Sequence, residues 1–113
     1  MKSLARRNKI LNDIQDCHLA FFVGCPEDGG IEIGIPRTKL NLAEAKDGCR
    51  KNATAVDITV AISGDTPLAD YWAIFDAETG GEMLYYFTLS HLVPMANGTK
   101  IAVKPGNLII REE

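Results

Sequence analysis

No apolar run in the chain approaches the roughly 20 residues a helix needs to cross a bilayer, so a membrane-spanning helix is not expected and no membrane partner is assigned. The N-terminus is basic, but the first apolar run begins only near Leu19 and is short, so no secretory leader is expected either. Neither sign of charge dominates: 12 basic side chains face 15 acidic ones, for a net charge of -3. That balance disfavours a phosphate-backbone ligand, and no nucleic-acid partner is expected. Lys2, Arg6, Arg7 and Lys9 form the one basic cluster and read as a solvated helix face. Cysteine is sparse and odd in number: Cys17, Cys25 and Cys49 lack CxxC spacing and read as free thiols in a cytoplasm. Only two histidines occur, His18 and His91. Gly80-Gly81 has no Lys-Ser/Thr behind it and opens no helix, which removes the phosphate-cradle reading.

What the chain does have is an aromatic hairpin. Residues 71–89 read YWAIFDAETGGEMLYYFTL. Aromatic and β-branched runs fit a half-buried pleated surface. The runs here flank Asp76, Gly80 and Gly81, where a short carboxylate and paired glycines supply turn chemistry.

The remainder is organised around that hairpin. Residues 3–14 form the one convincing helix, with Ser3 as N-cap and Leu4, Leu11 and Ile14 on one narrow apolar stripe. Its basic first turn opposes the helix dipole, so it needs a surface to lean on, its own sheet or a neighbouring chain. Residues 18–24 switch to period two with both faces apolar, an inner strand. Ile31, Ile33 and Ile35 alternate up to Pro36. Residues 43–52 are charged and read as an exposed loop. Residues 53–62 give the cleanest alternation, through Val56, Ile58, Val60 and Ile62. Residues 63–70 read as a loop. Asn97-Gly98 signals a second hairpin, with Leu92 and Val93 before it and Ile101 and Val103 on the return strand. A length of 113 residues predicts one domain, 1–113, with residues 1–16 as a helical docking or packing element. Turns about ten residues apart predict a mainly β, antiparallel, jelly-roll-like sandwich carrying one short N-terminal α-helix.

Few residues could carry chemistry. Cys17 and His18 are adjacent, so on a strand they point to opposite faces and make a poor nucleophile–base or metal pair. Asp65, Asp70 and Asp76 lie at strand ends, where carboxylates normally bond local backbone. No catalytic, cofactor-binding or metal residues are assigned, and the protein is expected not to be an enzyme. Trp72, Tyr85 and Tyr86 are candidates to stack a cell-surface glycan, although rings of this kind more often pack a core or an interface.

Several pieces together resemble the small tail-fibre-like and head-decoration virion proteins of tailed bacteriophages. They are Tyr71-Trp72-Ala73-Ile74-Phe75-Asp76-Ala77, Gly80-Gly81, Leu84-Tyr85-Tyr86, Gly98-Thr99 and Pro105-Gly106-Asn107-Leu108-Ile109-Ile110. The resemblance implies a non-enzymatic virion role in a fibre, a collar or a head decoration. It also implies docking through the N-terminal segment onto other virion proteins, whether capsid, collar or tail. The protein would then be assembled in the host cytoplasm and found in the virion. Leu4, Leu11 and Ile14 are the interface candidates, and a homo-oligomer such as a trimer would bury the remaining apolar surface. The rival reading is a carbohydrate-binding module that recognises a receptor through the three surface aromatics.

Overall fold

The computed structural model describes residues 2–112. It is mainly β and antiparallel, with one short helix, α1 (Leu4–Asn12). Strand β1 (His18–Val23) lies inside the largest sheet. Its near-continuous apolar sequence follows from that position, since an inner strand is covered on both faces. One edge of β1 pairs with two short strands, β2 (Ile31–Glu32) and β3 (Thr38–Lys39). The other edge pairs with β6 (Leu68–Phe75), and β6 pairs with β7 (Met83–Pro94), which ends the sheet. Two further ladders complete the body: β4 (Cys49–Lys51) with β9 (Ile109–Arg111), and β5 (Val56–Thr59) with β8 (Lys100–Val103).

These ladders pack over one face of the large sheet. Leu19, Phe21 and Ile74 from the sheet meet Leu11, Val56, Val60, Met95, Leu108 and Ile110 in a single buried cluster. Each large side chain fully buried there contributes about 1.5–3 kcal/mol, an upper figure because unfolded chains already hide some apolar area. The opposite face of the sheet carries a smaller cluster of Ala20, Phe22, Ala73 and Phe75.

Four expectations change in detail. The stretch 43–52 is not simply an exposed loop, because it contains β4 and pairs with the end of the chain. The strand expected over 53–62 is regular only over Val56–Thr59, although Val60 beyond it is buried. The loop expected over 63–70 is shorter, since β6 already begins at Leu68. The Asn97-Gly98 turn does not fold β8 back on β7. Its Gly98 N–H donates to Val60 O at 2.7 Å, and Asn97 Oδ1 accepts from Ile62 N at 3.1 Å. The turn is thereby fastened to the end of β5, and β8 zips onto β5 instead.

Asp76 and Gly81 close the aromatic hairpin. Asp76 Oδ1 accepts from Glu82 N at 2.7 Å, so the carboxylate spans the whole tip rather than two residues. Gly81 has φ +71°, and a Cβ there would lie 2.4 Å from Asp76 Oδ1. Any side chain would therefore displace the closing carboxylate. Gly80 contributes its carbonyl, which accepts from Arg37 Nη1 at 2.7 Å. Arg37 also grips both oxygens of Glu32, at 2.8 and 2.9 Å, and lies 3.7 Å over the Phe75 ring. One guanidinium thus ties the β2 region to the hairpin tip. The Glu32 bond reinforces its charge by raising an already high pKa.

Candidate interaction site

Helix α1 is seated on the segment that carries β4. Ser3 Oγ accepts from Arg6 N at 3.2 Å and opens the helix. Asn8 Oδ1 accepts from Gly48 N at 2.8 Å, and Asn12 Oδ1 accepts from Ala45 N at 2.8 Å. At the far end Arg50 Nη1 donates to Leu11 O and Ile14 O, both at 2.7 Å, while its Nε reaches Ala43 O at 2.8 Å. Leu11 O also accepts from Ile14 N, so Arg50 adds a second bond there and ties down the carbonyl of Ile14 just past the helix, and a cation at a helix C-terminus also complements the dipole. The chain therefore answers a basic first turn with a cation supplied at the other end.

The three interface candidates on this helix have different positions. Leu11 is fully buried in the main core and is not available to a partner while the helix stays docked. Its stripe leans on the protein's own sheets. Ile14 is partly buried against the same cluster. Leu4 is 44% exposed and is the member of the stripe that points into solvent.

The three ring candidates do not form one platform. The register pairs Trp72 with Phe87, Ala73 with Tyr86 and Ile74 with Tyr85. Side chains alternate along a strand, so Tyr85 and Tyr86 point to opposite faces. On the core side Trp72 stacks on Phe87 at 4.6 Å between ring centres, and Phe87 lies 6.2 Å from Tyr85. On the other side Tyr86 lies 6.3 Å from Tyr71. A sugar resting on Tyr86 could not touch Trp72, so the three rings do not share one stacking surface.

Tyr85 is anchored by its hydroxyl, which donates to Glu112 Oε2; Glu112 in turn pairs with Lys2 at 3.0 Å. Burial raises the Tyr85 pKa, and the Glu112 bond raises it further. The same bond, followed by Lys2, lowers the Glu112 pKa. Both residues border an open cleft of about 550 Å³ that also meets Ile10, Ile14, Asp16 and Asp76.

The remaining polar candidates are dispersed. Cys17 is in the core, where burial raises its thiol pKa, while His18 lies opposite Phe75 on the other face of the sheet. His91 is exposed beside Ser90. Asp70 accepts from Gly24 N at 2.8 Å, a backbone bond as at Asp76. Among the described residues the three cysteines are unbridged, and no group of three or more His, Cys, Asp or Glu side chains is placed to hold a metal ion. Sequence reasoning missed Asn52, which is 2% exposed. Its amide donates to Thr54 O and Lys104 O, at 2.8 and 3.1 Å, and its Oδ1 accepts from Leu108 N at 3.0 Å. From sequence it reads only as part of the exposed loop expected over 43–52.

Residues 4–111 match the family model described as "Podophage GP4 fiber I protein gp80". No curated protein matches the chain.

Proposed function

Because this chain belongs to the podophage GP4 fiber I protein gp80 family, and so is a tail-fibre-like structural component of a bacteriophage virion, we propose that its work is attachment rather than catalysis. It docks as one folded unit onto neighbouring virion proteins, within the fibre and not as a decoration of the head. One observation carries the reading. The matched residues begin at the first residue of α1 and end at the last residue of β9, so the family signature coincides with the entire folded body. Leu4 offers an apolar contact on a helix already immobilised by Asn8, Asn12 and Arg50, so a partner binding there orders little further chain. Self-association in the fibre would cover part of the remaining exposed apolar surface at Ile31, Leu68 and Leu92.

The test is an image of assembled particles carrying a tagged copy of this chain. Density or label at the fibre supports the reading. Label confined to the head, or absent from purified particles, overturns it. Light scattering on the isolated protein reports self-association separately.

A further inference from the structure

The outer edge of β7 and the free edge of β9 border one groove of about 510 Å³, lined by Trp72, Phe87, Thr88, Ser90, Ile109 and Arg111 among others. The hydrogen-bonding direction of each edge follows from the ladders. Just before β1, Cys17 O accepts from Leu40 N, and within it Phe21 O accepts from Ile33 N, so the odd residues of β1 bond toward β2 and β3. In an antiparallel strand successive residues bond to opposite sides. His18, Ala20 and Phe22 therefore bond to β6, through Phe75, Ala73 and Tyr71. Trp72 and Ile74 are then left to bond Phe87 and Tyr85 of β7. Tyr86 and Thr88 consequently turn their N–H and C=O groups away from the sheet. The same argument applies to β9. Glu112 N donates to Gly48 O, and Leu108 O accepts from Asn52 N, so the even residues face β4. Ile109 and Arg111 then present their backbone groups to the groove. Outside these ladders, no backbone bond among the described residues involves Tyr86, Thr88, Ile109 or Arg111.

Edges are normally blunted by charge, by an interior proline or by a very short strand; β9 is short and carries Arg111, but β7 has none of these devices. From Met83 to Pro94 no Lys, Arg, Asp or Glu occurs, and the sole proline is the terminal residue. A pocket of about 180 Å³ lies beside the groove, shares Trp72, Leu89, Asn107 and Ile109 with it, and is otherwise walled by Leu19, Phe21, Val103 and Leu108. Arg111 supplies the groove with a positive charge.

We infer that this groove receives an extended segment of another virion polypeptide, which adds as a strand along the outer edge of β7, with β9 bordering it. An extended backbone is the ligand whose N–H and C=O groups match an open strand edge. Its chemistry is set by the walls: an apolar side chain entering the pocket at Trp72, small or polar residues between, and a carboxylate near Arg111. The inference deepens the attachment reading by naming where the chain is engaged, and it rests on that reading for the identity of the partner.

The experiment is an amide-resolved NMR titration of the full chain with a synthetic peptide of alternating valine and threonine ending in aspartate. A control peptide carries N-methyl groups on alternate amides. The expected result is shifts gathered at Tyr86, Thr88, Ser90, Ile109 and Arg111, with none from the control. Thr88→Pro removes an outward donor without removing a bond to β6. It should bind about tenfold more weakly, on the scale of one buried group left unpaired, at an unchanged melting temperature. Arg111→Pro, checked in the same way, provides a second variant should the first fail to fold. Equal binding of the methylated peptide, shifts elsewhere, or no shift at millimolar peptide overturns the inference. So do concentration-dependent shifts at these amides without peptide, which would assign the edge to a second copy. Particle imaging remains independent: a wild-type chain absent from particles refutes the attachment reading, whatever the peptide does.

Discussion

At the scale of single residues, the joints of this protein are polar side chains whose partners lie far away in sequence. Asn52 and Leu108 are 56 positions apart, Arg50 and Leu11 are 39, and Arg37 and Ala77 are 40. No local pattern announces such pairs, so Arg50 and Asn52 read only as part of an exposed charged loop. Asn52→Ala should be severe for a polar-to-alanine change. It strands Leu108 N–H and removes the donor to Thr54 O and Lys104 O, at about 1–3 kcal/mol for each group left buried without a partner. The expected outcome is a clear drop in the denaturation midpoint with an unchanged far-ultraviolet spectrum. Asn52→Asp should rank close to it, since a carboxylate keeps the acceptor and loses both donors.

At the scale of elements, α1, the inner strand β1 and the aromatic hairpin were legible because each announces itself by local periodicity. What failed was pairing. The Asn-Gly turn marked a reversal correctly, but the strand after it joined β5, because the turn is bonded to Val60 and Ile62. The rival three-ring platform divides for a different reason. Tyr85 and Tyr86 are neighbours on a strand, and alternation alone separates them. The helix separates two roles that one apolar stripe had merged. Leu11→Ala should cost about 2–5 kcal/mol, the range for a large core side chain replaced by alanine. Leu4→Ala should leave the melting temperature within about a degree or two, since exposed substitutions fall within roughly ±0.5 kcal/mol. It should weaken incorporation into particles instead. Thermal melts of the two variants, run beside particle-binding assays, check the division.

At the scale of the whole molecule, the contacts near both ends converge on the large sheet at Tyr85. Glu112 has a folded pKa below its usual value, held there by the Tyr85 hydroxyl and by Lys2. A depressed carboxylate contributes stability that is present above its unfolded pKa, about 4.3, and is lost as pH falls through the lower folded value. Tyr85, with a raised pKa, contributes stability below its unfolded value of about 10, which is lost as pH climbs through the folded one. The wild type should therefore lose stability at both extremes. Tyr85→Phe should flatten the alkaline loss and weaken the acid one. Denaturant midpoints measured across pH for both proteins test this.

The fastening of α1 has a mechanical consequence. Asn8 and Asn12, one turn apart on the helix, and Arg50 at its carboxyl end all join it to the segment that holds β4. A tug on the amino end along the helix axis would strain those bonds together, as rivets share a shear, instead of peeling them one at a time. Tension would then pass through β4 into β9. A part that transmits pull in a fibre gains from that sharing, because no single bond has to resist the whole load.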